Sequence, residues 1–347
     1  MVTSNEIIDR IKSSICNSNN LESIHLHEPY FEGSNALKYL EECIDTGWVS
    51  SSGKWVTEFE RLISNYTGSK HAIVVSNGTV ALRLSLFLAG VRANNEVIIP
   101  PLSFVATANA ISHLGGVPHF VDIDSETLGM CPDYLDRHLI EIAEIKGEEV
   151  FNKITKRKIA AVVPVHVFGL PAKIQAIKKV CLKWKLPLIE DAAEALGSKT
   201  NVKNKLIHCG CLGDIGTISF NGNKIITSGG GGALLTNNDD FGRLARHLSS
   251  TAKVPHPWDF YHDQIAWNDR LPNINAALGC AEMERINSKL RSKRLLHAKF
   301  KKYFEDLKEV EIINESKNCE SNYWLITMRL IGENVEGLKE DILNNAH

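Results

Sequence analysis

The chain has 347 residues, of which 44% are hydrophobic and 23% charged, and it carries a formal net charge of -2. That length exceeds one simple core and predicts a large domain with a smaller one. The near-neutral balance gives no reason to expect a nucleic-acid partner, and no apolar run is long enough to cross a bilayer.

The N-terminal stretch MVTSNEIIDRIKSSIC carries Glu6 and Asp9 and lacks an apolar segment, so residues 1–26 are expected to be a helical segment of a cytoplasmic protein. From there the pattern alternates strand and helix. Seven β-rich runs stand out: 71–76 (HAIVVS), 96–100 (EVIIP), 118–124 (PHFVDID), 159–166 (IAAVVPVH), 187–191 (PLIED), 216–220 (GTISF) and 232–236 (GALLT). Several are continuous apolar runs, the mark of strands covered on both faces. Helical stretches such as 79–89 and 172–184 lie between most of them. This predicts an α/β/α large domain over residues 27–242 with a mostly parallel seven-stranded sheet. The glycine cluster between the last two runs leaves no room for a crossover helix, so the final strand is expected to be antiparallel. Beyond Gly242 long amphipathic helices follow, notably 272–302, and residues 243–347 are expected to form a small α+β domain. The ending DILNNAH reads as an unfinished helix without a stop signal, so that domain is expected to be truncated.

The eight cysteines are scattered, which favours reduced thiols. His208-Cys209-Gly210-Cys211 lacks a second matching pair, so no metal site is expected.

In open α/β sheets, ligands bind outside the carboxyl ends of the strands. The first strand is followed by Ser76-Asn77-Gly78-Thr79 and a helix, a turn that suits a phosphate or simply caps the helix. The fifth is followed by Glu190-Asp191-Ala192-Ala193-Glu194, a set of carboxylates that either cap the next helix or face a positive group. The sixth is followed by Ser219-Phe220-Asn221-Gly222-Asn223-Lys224, a single lysine in an uncharged stretch. A lysine held from water has a lowered pKa and attacks carbonyls. Phosphate cradle, aspartate and amine are together the parts of a pyridoxal 5'-phosphate site.

Eight motifs in order carry a more specific signal: TGWVSSSGKWVTEFE (46–60), SNGTVAL (76–82), EVIIPPLSFVATANAI (96–111), PHFVDID (118–124), VPVHVFGLP (163–171), IEDAAEALGS (189–198), GDIGTISFNGNKIITSGGGG (213–232) and WNDRLPNINAALGCAEMERI (267–286). By these the chain resembles the DegT/StrS sugar aminotransferases, with the fold-type-I pyridoxal-phosphate architecture. The resemblance implies that Lys224 is the Schiff-base lysine and proton shuttle, and that Asp191 partners the pyridinium. It implies that Glu194 stands where a residue, often Gln, meets the cofactor's phenolic oxygen. Gly78, Thr79 and Ser219 would hold the phosphate, and Phe104 would stack on the ring. Asn268 would reach the phosphate of a neighbouring subunit, which implies a homodimer with shared sites. Ser51, Ser52 and His166 would lie near the substrate, although a paired core histidine fits His166 equally. Two departures are Glu194 itself and Asp269, where the family usually has an aromatic residue.

The implied reaction takes an amino group from L-glutamate to a nucleotide-linked keto-sugar. The GWVSSSGKWV and HEPYF (27–31) segments point to acceptors of the UDP-4-keto-6-deoxy-N-acetylglucosamine type. Lys224 argues against the related 3-dehydratases, which carry histidine there. An amino-acid-acting enzyme on this cofactor and a non-catalytic protein of the same fold remain as alternatives.

Overall fold

A computed structural model of the chain describes residues 2–15 and 28–346. Cys16, His27 and the rest of the expected N-terminal segment beyond Ile15 lie outside the described residues. All seven anticipated runs contain strands: β1 (His71–Val75), β2 (Glu96–Ile99), β3 (Val117–Phe120), β4 (Lys158–Val162), β5 (Ile189–Asp191), β6 (Ile215–Ser219) and β7 (Gly232–Thr236). They form two ladders, β1-β7-β6-β5 and β3-β2-β4. Parallel bridges Val162–Leu188 and Val165–Asp191 connect the two. β7 runs antiparallel to both β1 and β6, as the short glycine connection requires. β5 and β6 are parallel, as are β2 with β3 and β2 with β4.

The strand period explains why the sheet is covered twice. In β1, Val74 packs on one face with Phe59, Ile63 and Phe220. Ile73 and Val75 pack on the other with Leu82, Leu86 and Leu248. Each such burial stabilises by about 1.5–3 kcal/mol. No helix among the described residues is long and apolar enough to cross a membrane.

Two features depart from the sequence reading. The hairpin Ala143–Lys146 with Glu149–Asn152 extends the β4 edge antiparallel, where no strand was anticipated. The expected division at residue 243 marks a change of texture rather than of core. Helix Asn273–Met283 packs with Lys54–Thr67 in the large-domain core, and Gly279 lets it approach the Phe59 ring. Conversely, helix Ser4–Ile15 buries Ile7 with Phe300, Phe304, Val310 and Ile312, so it belongs to the small-domain core rather than to a segment of its own.

Gly216 of β6 lies directly beneath the backbone of Gly210. A Cβ there meets peptide atoms that cannot yield. Gly216→Ala is therefore expected to lower stability by about 3 kcal/mol, read as a lower thermal midpoint.

Candidate active site

Three strand ends meet at one place because the sheet order brings them together. β5 and β6 are neighbours, with Asp191 in register with Thr217. Ser219 lies two residues further along β6. A rise of about 3.3 Å per residue and a strand spacing of about 4.8 Å put Asp191 and Ser219 roughly 8 Å apart. Gly78 opens the helix after β1, and a Cβ on it would come within 3.0 Å of Ser219 Cβ. Gly232 of β7 lies under the same turn, where a Cβ would stand 2.5 Å from the Asn77 carbonyl. The missing side chains thus let three backbones close around the start of helix Gly78–Leu88.

That helix start is built to receive an anion. Asn77 Oδ1 accepts the Val80 N–H at 2.9 Å. The N–H groups of Gly78 and Thr79, in the first turn, have no intrahelical acceptor and none elsewhere among the described residues. With the helix dipole and the nearby Ser219 hydroxyl, they offer donors suited to an anion such as phosphate.

Asp191 is buried at 7% exposure. Its Oδ2 accepts from Thr107 Oγ1 at 2.7 Å and its Oδ1 from the Ala193 N–H at 3.2 Å. Ser103 Oγ in turn donates to Thr107 Oγ1 at 2.6 Å. These donors favour the carboxylate and fix its orientation. Phe104 begins the turn that leads to Thr107, and its ring is 71% exposed. A phenylalanine left open one turn from a buried carboxylate is suited to covering a flat ligand rather than filling a core.

Lys224 Nζ stands 3.6 Å from Glu194 Oε1, with the two side chains 13% and 12% exposed. Burial pushes the lysine below its ordinary range; Glu194 first, and then Asp191, oppose that. Burial likewise pushes Glu194 up, opposed by Lys224 and by the Phe168 N–H, which donates to Glu194 Oε2 at 2.7 Å. Both partners thus lean toward their neutral forms, which for lysine is the nucleophilic amine. Glu194→Gln removes the largest charge holding the ammonium. Free-amine reactivity at Lys224 is expected to rise roughly tenfold at fixed neutral pH, read by labelling with a carbonyl reagent.

Of the two expectations for His166, near the substrate or a paired core histidine, the geometry favours the second, although its backbone N–H still donates to the Asp191 carbonyl at 3.0 Å. His166 has 0% exposure. Its Nδ1 accepts the Ala172 N–H at 3.0 Å, which leaves Nε2 to donate to Glu190 Oε2 at 3.0 Å. Both ring nitrogens are in use. Glu190, at the same strand end as Asp191, also accepts from the N–H groups of Gly210, Leu212 and Gly213 and so organises a loop. In that loop His208 Nε2 accepts the Gly197 N–H at 2.8 Å, and burial drops its pKa to about 4.

Ser51 and Ser52 form no hydrogen bond with the Lys224 cluster among the described residues. Their loop is held by Asn273, which donates through Nδ2 to the Trp48 carbonyl at 2.7 Å and accepts the Trp55 N–H at 3.0 Å. Ser52 lines a cleft of about 470 Å³ with Glu42, Trp48 and Lys54. Asn268 is exposed. The Asp269 carbonyl beside it accepts the Ser76 N–H at 2.8 Å, so Asn268 sits beside the anion-binding turn. Asp269, the departure from the family's aromatic, pairs with Arg83 on the helix that the turn opens.

Thr107, Asn322 and Trp324 were not anticipated. Trp324 carries the Lys224 ammonium over its ring at 3.7 Å from the centroid.

Comparison with known proteins agrees with this geometry. Residues 31–346 match the DegT/DnrJ/EryC1/StrS aminotransferase family. The chain belongs to that family. It is 36% identical over 325 residues to GDP-perosamine synthase of Vibrio cholerae, covering 93% of this chain and 82% of that one. It is 35% identical over 309 residues to the putative pyridoxal phosphate-dependent aminotransferase EpsN of Bacillus subtilis, covering 89% and 76%. A DegT DnrJ EryC1 StrS aminotransferase from Brucella abortus superposes with a TM-score of 0.78 at 25% identity, covering 90% and 78%. The family's fold-type-I architecture is therefore that of this chain, which is a pyridoxal-phosphate-dependent nucleotide-sugar aminotransferase. The residues present fit that cofactor: a cradle for its phosphate, a carboxylate at ring distance and a buried amine.

Proposed function

We propose that the enzyme moves an amino group from L-glutamate to the keto carbon of a nucleoside-diphosphate 4-keto-6-deoxy sugar, and that it works as a homodimer. Pyridoxal phosphate, when bound, supplies an aldehyde that joins amines and a ring that takes up electrons. The chain's own part follows from positions given above. Gly78, Thr79 and Ser219 would hold the phosphate, and Phe104 would cover the ring. Asp191 keeps the ring nitrogen protonated through a charge-assisted hydrogen bond. Lys224 Nζ would take the proton from the amino-bearing carbon of the donor and return it to the carbon on the other side of the nitrogen, and the reverse for the acceptor, as general base and acid. The observation that carries this reading is the buried amine of Lys224 facing Glu194 beside Asp191.

For the nucleotide, the sequence motifs pointed to UDP. Two relatives at 36% and 35% identity bear names that specify GDP, which favours guanosine. Incubation with nitrogen-15 glutamate and matched GDP-, UDP- and dTDP-linked 4-keto-6-deoxy sugars, followed by mass analysis, tests this. Label transferred to the GDP sugar is expected; transfer confined to the UDP sugar would restore the motif-based assignment. Transfer to none, with transfer to a keto acid, would favour an amino-acid enzyme.

The homodimer reading is supported by the large exposed apolar side chains Trp48, Phe104, Trp258, Phe260 and Ile265. The family resemblance, which gives Asn268 a role at a second copy's phosphate, and the exposure of that side chain support the same reading. Light scattering on the purified chain is expected to give twice the 38.5 kDa chain mass.

A further inference from the structure

The side chain that closes over Lys224 comes from a distant part of the chain. Trp324 is 5% exposed, and its ring centroid lies 3.7 Å from Lys224 Nζ. That is well inside the range of about 6 Å over which a ring face attracts a cation. The residue is held through its indole N–H and through both backbone polar groups. Its Nε1–H donates to the Asn223 carbonyl at 2.6 Å, one residue before the lysine. Its backbone N–H donates to Asn322 Oδ1 at 2.8 Å, and its carbonyl accepts from Lys293 Nζ at 3.1 Å. Asn322 Nδ2 in turn donates to the carbonyls of Glu194 and Leu196 at 2.8 and 2.9 Å. One asparagine therefore ties the indole to the backbone of the acid that faces the same amine. Gly169, with φ of +89°, makes room, since a Cβ there would strike Asn322 and stand 3.1 Å from the Trp324 nitrogen.

We propose that Trp324 is a positioning residue for the Schiff-base lysine: its ring face receives the Lys224 ammonium whenever that lysine is not joined to the cofactor. The inference rests on the reading of Lys224 as the cofactor lysine and extends it to a residue of the small-domain region. The amine must leave its carbonyl partner and return to it in each half-reaction. A fixed cation-binding face beside Glu194 keeps Nζ within reach during that interval. It also sets the balance of charge. Burial favours the free amine, while Glu194, Asp191 and the ring face favour the ammonium. Lys293 approaches the carbonyl of Trp324. Removing the ring face while keeping the volume filled therefore shifts Lys224 toward the amine.

The test uses the full chain freed of cofactor, reacted with pyridoxal and cyanoborohydride across a neutral to alkaline pH series, with Lys224 labelling read by peptide mass. Trp324→Phe keeps a ring face; Trp324→Leu and Trp324→Met fill the space without one; all three lose the Nε1 hydrogen bond equally. Leu and Met are expected to shift the labelling profile toward lower pH, with labelling roughly three to ten times faster near neutrality, while Phe overlays the parent. Either aliphatic variant that melts cooperatively suffices. Aliphatic profiles that overlay the parent, or that shift toward higher pH because the ring acted only by excluding water, overturn the proposal. A parent chain that fails to label at Lys224 instead overturns the underlying reading of that lysine.

Discussion

Replacing Lys224 by alanine should abolish the lysine–cofactor linkage and lower transamination by at least about 10³-fold, the upper part of the range for loss of a general acid–base. The expectation follows from what surrounds Nζ. It is buried between Glu194 and the Trp324 ring, so water has little access to stand in for it. The nearby Lys293 is anchored to the carbonyl of Trp324. Loss of the amine leaves Glu194 buried without its cation, but burial already pushes that acid toward its neutral form, so the fold should survive. Lys224→Arg separates charge from chemistry. It restores a cation but offers no nucleophilic amine, and should be as inactive as alanine. Turnover with glutamate, and a spectrum before and after borohydride, check both.

Asp191→Asn should lower turnover by about 10² to 10³-fold, equivalent to about 3–4 kcal/mol. Asparagine matches the shape of aspartate but carries no charge. At 7% exposure, the negative charge lies in a poorly solvated site, where pairing with a protonated ring nitrogen is stronger than in water. The Ala193 N–H that now donates to Oδ1 restricts how an amide could turn. The loss should fall on turnover more than on the glutamate KM, because the charge acts on the reacting ring rather than on the amino donor. A raised glutamate KM with turnover unchanged would point to a binding role only.

The strands and the site differ in how they could be read from sequence. Continuous apolar runs such as HAIVV and GALLT announce strands covered on both faces, and a glycine cluster too short for a helix announces the antiparallel β7. Residues 143–152, whose strands show a mixed burial pattern, gave no such signal. The boundary at residue 243 was drawn from a change of texture; helix Asn273–Met283, apolar and late in the chain, packs in one core with Trp55, Phe59 and Ile63. Lys224, Asp191 and the turn at Gly78 could be singled out because each follows a recognisable strand, and the fold brings those strand ends together. His166 also follows one, and its two readings stayed open because a strand-end position does not say which way an imidazole points. Thr107 was hidden inside a quoted motif, and Trp324 lies 100 positions from its partner; only the fold brings such pairs together. Glu194, where the family often has glutamine, becomes intelligible once its oxygen is seen facing the lysine.

The central claim is that one amine, that of Lys224, carries the cofactor opposite Asp191. Purified full-length chain, reduced with borohydride and digested, should yield a single cofactor-modified peptide, the one containing Lys224. Modification at another lysine, or no modification of a chain that nevertheless transfers nitrogen from glutamate, would contradict it.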